Sequence, residues 1–215
     1  MSSKLNIDEL NIVTYTDSEV DRWLYEYFEP MELSEEDIET RKNAAKDFRD
    51  ILLFILLAIK IGDELGVIDW DSLRIQLQSE FGSVARKYAR DDEFMRDFAN
   101  KAAEDFLEVT RERIAKDGLD SRWVSDDRAL SDAANYSNMT VGYEEWQKAI
   151  EDGKKYKVWI SQRDGRVRHT HRVADGQKVP IKAMFRVGNS LLAYPTDPDG
   201  EPEEVIGCRC HCNYV

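Results

Sequence analysis

From Lys154 to Gly176 the chain reads KKYKVWISQRDGRVRHTHRVADG, and here its texture changes from helical to extended. KYKVWIS, residues 155–161, is rich in β-branched and aromatic residues. RDGRVR carries an Asp-Gly turn signal between short strands, and VADGQKVP carries another. Beyond it, MFRVGNSLLAYP predicts a hairpin around Gly188–Asn189, and TDPDGEPEE a loop. Upstream the texture is helical. The expected class is therefore α+β, an N-terminal helical bundle followed by a small module with short antiparallel strands.

The helical part punctuates itself. LSEEDIETRKNAAKDFRDILLFILLAIKIGDELG has Ser34 as an N-cap, acidic residues in its first turn and Gly66 at its end. Its solid apolar centre predicts contact on nearly all sides, in the middle of a bundle. Before it, Val20, Trp23, Leu24, Tyr27 and Phe28 recur at helical spacing up to Pro30. After it, Asp69 or Asp71 caps one more helix, and the pair Asp91–Asp92 precedes another that closes at Asp117–Gly118. Residues 119–150 read as two helical pieces broken near NYSNMTVG, ending at Gly153. Two domains are expected, an acidic bundle over 1–118 and a module over 119–215.

Charge divides along the same line. The net charge is -13, but residues 151–215 hold 11 Lys and Arg against 9 Asp and Glu, and the first 150 hold 19 against 34. A protein with this balance does not coat nucleic acid along its whole surface. The apolar run ILLFILLAIKI, residues 51–61, would span only about 16 Å as a helix, half of a bilayer core. MSSKLNIDELN at the start lacks the basic and apolar regions of a secretion signal. Three cysteines in a CxCxC pattern do not make a disulfide framework and fit a reducing cytoplasm.

Every cysteine and histidine lies in two C-terminal patches, RVRHTHR and EEVIGCRCHCNYV. His169, His171, Cys208, Cys210, His211 and Cys212 exceed the four ligands of a tetrahedral zinc. On extended strands the HTH and CxC spacings would each place two ligands on one side. The same residues could serve nucleophilic catalysis, with Cys next to His and Asp164 or Glu204 orienting the base. Neighbouring arginines would suit phosphodiester chemistry. Lys154, Lys155, Lys157, Arg163, Arg166 and Arg172 make a basic cluster suited to DNA phosphates, partly neutralised by Asp164 and Asp175. The five tryptophans are scattered and read as core or interface anchors. The prolines in TDPDGEPEE break the ligand spacing of a calcium loop.

An ordered series runs through this region: Trp159, Ser161, Asp164, Arg166–Val167–Arg168, His171, Asp175–Gly176, Phe185, Tyr194–Pro195, Asp197–Pro198, Glu204, Ile206 and Cys208–Arg209–Cys210. It resembles the phage Mu F-like minor head proteins, the head morphogenesis proteins of tailed bacteriophages, over about residues 120–215. The resemblance implies a virion protein made in the host cytoplasm, associated with the portal and neighbouring head proteins, and tied to head assembly or DNA delivery. It implies a recognition module and no enzyme. His171, Cys208 and Cys210 are then the signature histidine and cysteines, and His211 and Cys212 depart from the pattern. Some relatives carry a toxin or enzyme domain after this module; the chain here ends five residues past Cys210, so no delivered toxin is expected.

Asp164, Arg166, Arg168, His171, Cys208, Arg209 and Cys210 are expected to form a polar clasp. Arg168 should tie down a loop through a carbonyl or a carboxylate such as Asp164 or Glu204. Zinc in that clasp is an open expectation, as is contact with packaged double-stranded DNA. The competing function is a zinc-dependent or Arg/His phosphodiesterase.

Overall fold

A computed structural model describes residues 12–119 and 122–215. The stretch read for a secretion signal, residues 1–11, lies outside them. Five long helices come first: α1 Asp17–Phe28, α2 Glu35–Glu64, α3 Trp70–Tyr88, α4 Asp92–Asp117 and α5 Asp126–Glu151. The small part follows as β1 Tyr156–Ile160, α6 His169–Ala174, β2 Lys178–Pro180, β3 Phe185–Val187, β4 Ser190–Leu192, α7 Pro202–Val205 and β5 His211–Tyr214. The α+β class holds. Among the described residues no helix is long and apolar enough to cross a membrane.

The caps fall where the side chains predict. Ser34 accepts from Asp37 N, Asp69 from Ser72 N, and Asp91 from Glu93 N and Phe94 N. Gly66 and Gly118 take positive φ just beyond their helices, a conformation other residues adopt at a cost.

α2 buries Ala44, Ala45, Phe48, Leu52, Ile55, Leu56 and Ile59, a single 3.6-period stripe against α5, α3 and α1. The expected all-round burial is corrected here, since Phe54 is 53% exposed on the uncovered face.

The helix buried all round is α5. It is one unbroken helix of 26 residues, not two pieces, and its residues 133–141 are all buried. The amides and hydroxyls that read as a break are hydrogen-bonded inside. Ser137 Oγ donates to Arg41 O at 2.7 Å, and Thr140 Oγ1 to Tyr136 O at 2.9 Å. Two arginines of α2 pin the pair: Arg41 bridges Glu145 with both terminal nitrogens, at 2.7 and 2.9 Å, and Arg49 grips Asp126 with two bonds. α5 lies beyond the boundary expected at residue 118, yet its main partner is α2.

β1 is the centre of an antiparallel sheet ordered β2-β1-β5, with Trp159 opposite Cys212 and Ile160 opposite His211. β3 and β4 form the hairpin expected at Gly188–Asn189. One buried cluster joins Phe48 of α2, Phe98 and Phe106 of α4 and Tyr136 of α5 to Trp159, Phe185, Tyr194, Cys208 and Cys210.

Candidate metal centre

RDGRVR turns the chain out of β1 into a helix, where a second strand was expected. Residues two apart on a helix point to nearly opposite sides, so the HTH spacing separates its histidines. His171 is buried, and His169 stays exposed on the first turn of α6. Trp159 packs edge-on against the His171 ring at 5.6 Å and against Phe185 at 5.3 Å, which fixes the imidazole.

The cysteines arrive on the loop between α7 and β5. That loop is held from five directions. Asn135 Oδ1 accepts Gly207 N at 2.8 Å, and Asn138 Nδ2 donates to Cys208 O at 3.4 Å. Gln162 Nε2 donates to Arg209 O at 2.8 Å, and Arg168 donates to Ile206 O. Arg209 Nη2 meets Asp164 Oδ2 at 2.7 Å. Arg168 therefore ties down a loop as expected, through a carbonyl. Asp164 and Glu204 are engaged elsewhere, and Arg166 is exposed, 3.7 Å from Asp164.

His171 Nδ1 lies 3.4 Å from Cys210 Sγ and 3.5 Å from Cys208 Sγ. One nitrogen and two sulfurs bound tetrahedrally to zinc, at about 2.0 and 2.3 Å, would sit about 3.5 Å apart, so the residues fit such an ion. These three side chains could hold a metal, and their ligand atoms all lie within 4.8 Å of one another. On the far side of the ring, His171 Nε2 meets Glu204 Oε2 at 3.0 Å, and Thr170 Oγ1 donates to the same oxygen at 2.7 Å. A carboxylate there holds a proton on Nε2, so that Nδ1, once it gives up its own proton, could turn its lone pair to an ion between the thiols, as histidine metal ligands require. Gly188 makes room for this carboxylate: its φ is +57°, and a Cβ would collide with Glu204.

The electrostatics single out one thiolate. The hydrogen bond with Cys210, aided by the imidazole, holds Cys208 well below the usual thiol range against the opposing effect of burial. The same bond, with burial, pushes Cys210 far up. Burial pulls His171 down, but the bond and charge of Cys208 outweigh it, so the imidazole stands above its ordinary value.

The other expected ligands lie apart. Among the described residues, His169, His211 and Cys212 do not join the group. His211 is partly buried near Arg41 and Glu145, and burial lowers its pKa. Cys212 sits in β5, where burial pushes its thiol up to about 12.

The basic cluster also divides. Lys154, Lys155, Arg163, Arg166 and Arg172 are exposed, with Arg163 paired to Asp175 at 2.8 Å. Lys157 is fully buried, donates to Ala193 O and lies 5.0 Å from the Trp146 and Phe185 ring centres. It cannot reach a DNA phosphate. β1 alternates faces, and position 157 faces inward with Trp159.

Asn135 and Asn138 were missed in the sequence. Two amides within a helical stretch could have signalled buried anchors, but they carry no mark of the loop they hold, about 70 residues away. No protein-family model, no curated protein and no solved structure matches the chain.

Proposed function

We propose that this chain is a minor head protein of a tailed bacteriophage, a binding component with no catalytic role that works with the portal and neighbouring head proteins. One observation carries this reading. The residues of the resemblance, scattered from Trp159 to Cys210, meet in one assembly: Trp159 packs on His171 and is itself backed by Phe185, Glu204 orients the imidazole, Arg168 and Arg209 fasten the cysteine loop, and Asp197 accepts Ala193 N at 2.7 Å to close the loop after Tyr194–Pro195. Such residues serve the fold of a recognition module. The acidic bundle suits protein contact, and the exposed Lys154, Lys155, Arg163, Arg166 and Arg172 suit auxiliary contact with packaged DNA.

Zinc is the ion proposed for His171, Cys208 and Cys210, because the ligands are soft and their spacing fits a tetrahedron. It would staple α6 to the cysteine loop, and elemental analysis should find about one zinc per chain.

Mass photometry of the protein mixed with the portal ring of the same phage tests the head reading. A ring carrying a defined number of copies is expected; a bare ring over a wide concentration range would overturn it. The alternative, a zinc-dependent phosphodiesterase, has the arginines around the same group in its favour. It requires cleavage of plasmid or RNA that needs zinc and disappears in His171→Ala.

A further inference from the structure

The metal-binding group lines an open cleft of about 400 Å³ between α1 and the C-terminal clasp, whose walls include Tyr27, Gln162, Arg166, Arg168 and Arg209. Three polar atoms in these walls are shielded from solvent and have no hydrogen-bond partner: Tyr27 Oη, Gln162 Oε1 and Arg209 Nη1. A buried polar group left unpaired is costly, so three around one cleft mark a place built to receive a partner.

Their chemistry is specific. Arg209 spends Nη2 on Asp164 and Gln162 spends Nε2 on Arg209 O, so both side chains are anchored while Nη1 and Oε1 stay unpaired. The Tyr27 hydroxyl lies within the electrostatic reach of Cys208, Arg209, Arg168 and Arg166. Of the nearby carboxylates, Asp164 is already paired and Glu26 stands exposed in the lining. His171, Cys208 and Cys210 supply three ligands, and Glu204 is occupied on the far side of the imidazole, which leaves a tetrahedral ion one position for an outside ligand. Two thiolates and an imidazole around a divalent ion sum to no net charge, so the loaded group does not repel an anion.

We propose that the cleft binds a hydrogen-phosphate group, free or at the end of a larger molecule, with one oxygen on the metal. Small side-chain adjustments bring the three shielded atoms to it: Arg209 Nη1 and Tyr27 Oη then donate to its other oxygens, and its O–H donates to Gln162 Oε1. The guanidiniums of Arg166 and Arg168 offset its charge. This inference rests on the zinc reading above.

The full chain loaded with cobalt in place of zinc provides the test, because visible cobalt bands respond to exchange of a bound ligand. Inorganic phosphate at millimolar concentration is expected to shift those bands. Tyr27→Phe should keep the metal content and leave the melting temperature no lower while weakening phosphate about tenfold, the effect of losing one hydrogen bond of about 1.4 kcal/mol. Bands indifferent to phosphate in a metal-loaded protein, or equal affinity in Tyr27→Phe, would overturn the inference and leave zinc standing. A chain that takes up no metal would sink both. An oligonucleotide with a 5′-phosphate, compared with its 5′-hydroxyl form, distinguishes the sources. Tighter binding of the phosphorylated strand than of free phosphate supports a nucleic-acid end, and the reverse supports the free ion.

Discussion

Lys157 carries a sharp residue-scale consequence. Burial lowers its pKa from 10.5 to about 8. Below pH 8 both folded and unfolded chains hold the proton, and the folded chain bears the full burden of the buried charge. Between pH 8 and 10.5 the unfolded chain binds more protons, so this group makes stability rise with pH. Relative to Lys157→Met, which keeps the volume and removes the charge, the native chain should gain at most about 3 kcal/mol across that window. Urea titrations of both proteins at pH 7.5 and 10 would measure it, and a constant difference would refute the assignment. At this scale the sequence was readable where residue type alone speaks. His171, Cys208 and Cys210 could be singled out because soft ligands are scarce in the chain. His169 was grouped with them only because HTH was read as a strand, and Lys157 joined the basic patch because a charge count carries no facing.

Elements were legible to the degree that their signals are local. Ser34, Asp69 and Asp91 announce three helices by capping chemistry, and Gly188–Asn189 announces a hairpin. α5 was misread because its middle is polar yet buried, and the partners that satisfy it lie on α2 and on the cysteine loop. Two predictions belong here. Asn135→Ala should cost about 1–3 kcal/mol, since Gly207 N loses its acceptor in a partly buried place. It should also weaken metal binding about 10–100-fold, as loss of a supporting contact does, and competition with a chelator would read this out. Asp126→Asn should cost about 3–5 kcal/mol in thermal or urea unfolding, because it strands the buried Arg49 guanidinium.

For the whole molecule, composition told of two unlike halves, and in charge they are unlike. Their core is nevertheless continuous, running from Phe48 through Tyr136 to Cys210. Calorimetry should therefore find one cooperative transition with calorimetric and van't Hoff enthalpies equal. A fragment of residues 119–215, stripped of α2, should lack fixed tertiary structure, and its near-UV circular dichroism would tell. The pairing of α2 with α5 also sets an order of events in time. Arg41 and Glu145 are separated by 104 positions, and Arg49 and Asp126 by 77. Such distant ends must find one another before α5 can offer Asn135 and Asn138 to the cysteine loop, whereas the helices themselves form within microseconds. During refolding, helical signal should thus return well ahead of the ability to capture an ion, and the chain passes through an interval in which its thiols are still unguarded.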